Sequence, residues 1–219
     1  MNNSENWLTK FESCKYSNRL LTRLKMLNEN MPRTGKVDIQ EVQKAMFYAK
    51  KYHGEQKRQS GEPYYSHPIE VAYMLANYTS REDRRYFRTD LLVSSILHDC
   101  IEDTELSFEM IKELFGELVA SQVESLTRVK IYGKITSKEL VNSLLMQEDC
   151  YYKRGVLMIK MFDRLHNVQT LKGNSPKKIK RVIDETIQVF FLLSVYLEMP
   201  QITNMLIRFC NNALARQGA

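Results

Sequence analysis

From Val37 onward, apolar residues recur three and four places apart, and no stretch alternates apolar with polar at every second position. That spacing admits helices and little else. In 38–53, "DIQEVQKAMFYAKKYH", Ile39, Val42, Ala45, Met46 and Ala49 share one helical face behind Asp38, which suits an N-cap. Pro68 in "SHPIEVAYMLANY" suits a first helical turn, so His67 falls at a helix entry. Ser107 caps a helix over 108–115 that Gly116 ends, and "TSKE" at 136–139 is a capping-box pattern. Residues 153–172 and 177–198 predict two more helices, separated by "GNSP". The expected organisation is a partly helical leader over 1–36, a domain over 37–200 and a C-terminal helix or tail over 201–219. The predicted fold is all-α, a single helical bundle without strands.

Several function classes fall away. Lysine and arginine total 32 against 26 acidic residues, a net charge of +6 that favours an anionic partner. The basic residues form only short clusters, "REDRR" at 81–85 and "KKIKR" at 177–181, with no zinc-finger spacing or aromatic-studded basic strand. Nucleic acid is therefore not indicated, and the charge by itself says only that the partner is anionic. The apolar stretches near 91–97 and 189–197 are too short for a membrane span, and "MNNSENWLTKFESCKYSN" has no apolar signal core. Cys14, Cys100, Cys150 and Cys210 are scattered without pairing spacing, which predicts reduced thiols in a cytoplasmic protein. The apolar stretch 189–210 offers a surface for a homo-oligomer.

The chemistry concentrates in three places. "LLVSSIL" runs directly into His98, Asp99, Glu102 and Asp103. On one helix at about 100° per residue those four project into a sector roughly 140° wide. Carboxylates one turn apart repel each other, and a divalent cation reverses the sign of that cost. The ordinary alternative is a solvated acidic helix end. A second apolar run enters "MFDRLHN", where Asp163, Asn167 and Thr170 share one helix edge within roughly 60°. Its ordinary alternative is a surface aspartate paired with Lys160 or Arg164. The third is "KRQSGEPYYSHP", where Gly61 and Pro63 mark a turn, Arg58 and Ser60 offer donors, and His67 closes the stretch; a plain turn explains it equally. Jointly they supply two histidines and two carboxylates, His67, His98, Asp99 and Asp163, for one metal. Mixed imidazole and carboxylate ligation without thiolate suits Mn²⁺, with Fe²⁺ or Zn²⁺ behind it.

At these clusters, over roughly residues 40–190, the chain resembles the hydrolase domain of the RelA/SpoT-type enzymes, a group of HD-domain metal phosphohydrolases. The resemblance rests on His53, "RQSGEPY" at 58–64, His67-Pro68, "LHDCIEDT" at 97–104, "FG" at 115–116, "DRLHN" at 163–167, "TLK" at 170–172 and "ET" at 185–186. It implies Mn²⁺-dependent removal of the 3′-pyrophosphate from the guanosine alarmones ppGpp and pppGpp. By position, the same four residues, His67, His98, Asp99 and Asp163, would hold the metal, and Glu102 and Asp103 would handle water and protons. Arg58 and Ser60 would form part of the guanine pocket, with Tyr64, Asn167 and Thr170 bordering the nucleoside. His53 and His166 read as structural. The family's usual lysine after the arginine is Gln59 here, which bears on how base or phosphate is gripped.

At 219 residues the chain reads as a small, stand-alone alarmone hydrolase without room for synthetase or regulatory domains. Two other readings stand beside it. One is an HD phosphohydrolase acting on another nucleotide, such as the phosphate of NADPH. The other is a non-catalytic alarmone-binding regulator, which has no need of Glu102 and Asp103.

Overall fold

The computed structural model describes residues 7–147 and 151–215, so Cys150 and the outermost parts of the leader and tail lie outside the described residues. Chain contacts divide the protein into two compact units. One holds the chain up to Gln56 together with Pro63–Thr127; the other holds Lys57–Glu62 and the chain from Arg128 onward.

The first unit contains α1 (Trp7–Lys10), α2 (Lys15–Glu29), α3 (Ile39–His53), α4 (Ser66–Glu82), α5 (Thr89–Leu97), α6 (Cys100–Asp103), α7 (Phe108–Phe115) and α8 (Glu117–Leu126). Asp38 accepts from the backbone N–H groups of Gln40 and Glu41, as its place before α3 predicts. Ser107 likewise caps α7 through Met110, and Gly116 ends that helix at φ 87, a left-handed value that glycine tolerates. The stripe of α3 buries Val42, Ala45, Met46 and Ala49. Helix α5 is buried on every side from Leu91 to Leu97 and packs against α3, α4 and α8, which makes it the core of this unit. Helix α2, within the predicted leader, packs its buried Leu20, Leu24 and Leu27 side against α3 and α4.

The second unit contains a hairpin, then α9 (Ser137–Leu145), α10 (Tyr151–Gln169), α11 (Pro176–Glu185), a π-helical segment (Thr186–Phe190), α12 (Phe191–Tyr196) and α13 (Pro200–Ala215). Thr136 and Glu139 form the reciprocal capping box at the start of α9. Helix α10 is buried from Val156 to Leu165 and packs against α9, α12 and α13. Ser175 caps α11, with Pro176 in its first turn.

The all-α reading holds with two corrections. Val129–Lys130 (β1) pairs antiparallel with Gly133–Lys134 (β2), a hairpin whose two-residue strands are too short to show alternation. The predicted helix over 177–198 is interrupted by the π segment, where Phe191 N–H bonds back to Thr186. Among the described residues, no helix is long and apolar enough to cross a membrane.

Candidate metal centre and its surroundings

The first unit brings five of the sequence candidates together. His67 enters in the first turn of α4, and His98 and Asp99 follow α5. Both histidines are 2% exposed, with their rings 5.3 Å apart. Asp99 faces both: its Oδ1 lies 3.1 Å from His98 Nε2 and its Oδ2 lies 3.7 Å from His67 Nε2. Tyr64 completes the group, its hydroxyl 2.9 Å from Asp99 Oδ2 and 3.0 Å from Asp103 Oδ2.

Residues 98–103 do not lie on one continuous helix, contrary to the sequence expectation. Helix α5 stops at Leu97, and Asp99 sits at φ −97, ψ −6, flattened away from helical values. The His98 ring turns back onto its own helix and donates Nδ1–H to the Ser95 carbonyl at 2.8 Å, a strong side-chain bond to an acceptor the helix would otherwise use. The chain then makes one further turn, α6, which Thr104 closes by donating both its backbone N–H and its hydroxyl to the Cys100 carbonyl. Spacing on an ideal helix cannot register a two-residue turn.

That turn also sets the chemistry of His98. A carbonyl only accepts, so Nδ1 carries a proton and Nε2 is the ring atom turned to the carboxylate oxygen. A proton or a cation joins such a nitrogen and oxygen 3.1 Å apart, and a metal ion takes the place of the proton when it binds. With His67 adding a second imidazole, the donor set is mixed nitrogen and oxygen without sulfur, and it fits a divalent metal.

The second unit holds the remaining candidates except Glu102, which belongs to the first. Asp163 on α10 is buried and accepts from Lys160 Nζ at 3.0 Å and from Asn167 Nδ2 at 2.6 Å. The surface-aspartate alternative therefore fails on burial, although the lysine partner it named is present. Asn167 Oδ1 in turn accepts from the Arg58 guanidinium at 3.0 Å, and Thr170 Oγ1 accepts from it at 3.3 Å. Arg58 can reach them because the 58–62 turn is fastened by its own backbone, Gly61 N–H to the Arg58 carbonyl and Arg58 N–H to that of Glu62. Gly61 sits there at φ 83, where a side chain would be strained. Ser60 is exposed in this turn, and Glu102 is half-buried on α6.

Three features escaped the sequence reading. Gln56 bonds both His53 and the Asp103 backbone, and a glutamine in a polar loop gives no signal for either bond. Lys178 of the basic cluster reaches Gln59 Oε1 at 3.3 Å, and burial together with Arg181 and Arg58 holds its pKa below the usual lysine range. Arg164, the other partner offered for Asp163, instead donates to Glu185 at 2.6 Å, is buried and lies over the Phe190 ring.

Residues 45–197 match the family model described as "HD domain", and the chain belongs to the HD-domain family. Its relatives make the group more specific. It is 38% identical over 170 residues, 76% of this chain and 23% of the relative, to a protein of Aquifex aeolicus named guanosine-3′,5′-bis(diphosphate) 3′-pyrophosphohydrolase. A protein of Synechocystis with the same name, qualified as probable, is 36% identical over 149 residues, 67% of this chain and 19% of the relative. The "GTP pyrophosphokinase rsh" of Brucella ovis is 36% identical over 163 residues, 71% of this chain and 20% of the relative. The chain thus spans about a fifth of the length of these relatives. Among solved structures, one described as "A metazoan ortholog of SpoT hydrolyzes ppGpp and plays a role in starvation responses" shares the fold. Its TM-score is 0.53 at 20% identity, covering 81% of this chain and 96% of that one.

Proposed function

We propose that the protein is a metal-dependent phosphohydrolase that removes the 3′-pyrophosphate from ppGpp and pppGpp, yielding GDP or GTP and pyrophosphate. The observation that carries this reading is the group of buried His67 and His98 with half-buried Asp99, and Asp103 tied to it through one tyrosine hydroxyl. A binding module has no use for a second carboxylate beside a cation site. A hydrolase needs one there to take a proton from water. The names of the relatives supply the substrate.

In this reading His67, His98 and Asp99 hold a divalent ion, Mn²⁺ by preference, and the family pattern assigns Asp163 to the same ion. When bound, such an ion polarises the phosphoryl oxygens and lowers the pKa of water. The chain's own groups do the rest. Asp103, with Glu102 beside it in sequence, accepts the proton of the attacking water. Water oxygen bonds to the phosphorus attached to the ribose 3′-oxygen, that P–O bond breaks, and the proton is returned to the 3′-oxygen. Arg58, set by Asn167 and Thr170, offers a flat cation to the guanine, and Ser60 lies two residues on. Tyr64 was assigned to the nucleoside border by the resemblance; its hydroxyl is spent on the aspartates.

The Lys178–Gln59 contact keeps a second substrate in view, since the position after Arg58 lacks the family's lysine. The deciding experiment is pyrophosphate release from ppGpp by chelator-stripped protein, with and without Mn²⁺, beside NADPH. Metal-dependent release of pyrophosphate and GDP supports the proposal. Phosphate from NADPH alone overturns the substrate, and binding of ppGpp without turnover under any metal overturns the enzyme.

A further inference from the structure

Tyr64 makes two contacts that bordering a nucleoside does not explain. Its single hydroxyl proton faces two carboxylates, Asp99 Oδ2 at 2.9 Å and Asp103 Oδ2 at 3.0 Å. We infer that Tyr64 is a positioning residue, held by His53 and Gln56, that fixes Asp103 for proton transfer and Asp99 for metal binding. This rests on the roles proposed above for those two aspartates.

The supporting frame is closed. The Tyr64 ring stacks on the His53 imidazole, centroids 4.6 Å apart and planes at 30°. His53 Nδ1 lies 3.0 Å from Gln56 Oε1, and an amide oxygen only accepts, so Nδ1 carries the proton. Gln56 Nε2 then donates to the Asp103 backbone carbonyl at 3.1 Å, and the Gln56 carbonyl accepts the Tyr64 N–H at 2.8 Å. Asp103 is therefore gripped twice, by its backbone through Gln56 and by its carboxylate through Tyr64. His53 Nε2, 3.7 Å from Cys100 Sγ, is left to accept from the thiol.

Two carboxylates within reach of one hydroxyl repel each other and would swing apart or share a proton. A donor between them offsets that repulsion and sets their spacing. The hydroxyl is the donor in both contacts, with a carboxylate oxygen as the acceptor in each. A nucleoside-bordering role for the hydroxyl would require it to release both aspartates.

Tyr64→Phe keeps the ring stacked on His53 and deletes only the hydroxyl. Mn²⁺ affinity, measured by calorimetry without substrate, is expected to fall on the order of tenfold, as for other groups that support a metal ligand. In the ppGpp assay kcat is expected to fall on the order of tenfold or more with KM unchanged. Mn²⁺ affinity at the wild-type level, or a raised KM with kcat unchanged, overturns the inference, the latter by making Tyr64 a substrate contact. If the wild-type protein is silent on ppGpp, the substrate proposal fails by itself. The Mn²⁺ titration still decides the hold of Tyr64 on Asp99.

Discussion

Helices α5 and α10 begin alike and end differently. Each is an apolar helix running into a carboxylate, and each lies at the centre of its unit. Helix α5 stops one residue before His98, and its candidate ligands hang from a turn. Helix α10 continues without a break through Asp163 to Gln169, so Asp163, Asn167 and the following Thr170 keep the edge their spacing predicts. Asp103 on the turn is exposed and held by Tyr64 and Gln56, whereas Asp163 is part of a packed, buried face beside Lys160. The lesson is that chemistry at Asp103 is separable from stability, and chemistry at Asp163 is not.

The largest expected effects sharpen that contrast on the turn. His98→Ala and Asp103→Asn should each abolish ppGpp turnover by different routes: the first loses Mn²⁺, the second keeps it. Metal content after dialysis, read beside activity, checks this, and full activity in Asp103→Asn would remove its proton-handling role. Next comes Asp163→Ala on the continuous helix. It strands the buried Lys160 ammonium, so it should cost about 3–5 kcal/mol of stability as well as activity. Urea denaturation of both variants tests the comparison directly; equal stability of Asp163→Ala and Asp103→Asn would break it.

Smaller effects lie away from both helices. Thr136→Ala removes the capping box of α9 and should cost about 1 kcal/mol in the same denaturation experiment. The buried His53 has its pKa lowered from 6.5, chiefly by burial. The unfolded chain therefore binds this proton at a higher pH than the folded one does. The resulting stability is present above pH 6.5 and is lost as pH falls towards the folded value. His53→Gln should flatten that part of the pH dependence of the thermal midpoint, and an unchanged profile would show that other groups carry it.

Much was legible in the sequence because it follows from local rules. Caps at Asp38, Ser107 and Thr136, the entry of His67 beside Pro68, and the buried stripes of α3 and α10 depend on neighbours within a few residues. The candidate ligands were visible as residue types improbable at the end of an apolar run. The break at His98–Asp99 was not, because an imidazole turning back to the Ser95 carbonyl leaves the hydrophobic period unchanged.

By itself, then, the sequence determined the helical class, several capped helix starts and the candidate side chains for the chemistry, since propensity, capping and periodicity act over one or two turns. Only the tertiary structure decided who holds whom. It gave the Tyr64 hydroxyl to Asp99 and Asp103, Gln56 to His53 and the Asp103 backbone, and Arg58 to Asn167 and Thr170. Arg58 and Asn167 stand 109 residues apart in the chain, Tyr64 and Asp99 stand 35 apart, and no local propensity encodes such pairings. They form because a polar group lifted out of water must find its partner wherever packing brings one within reach.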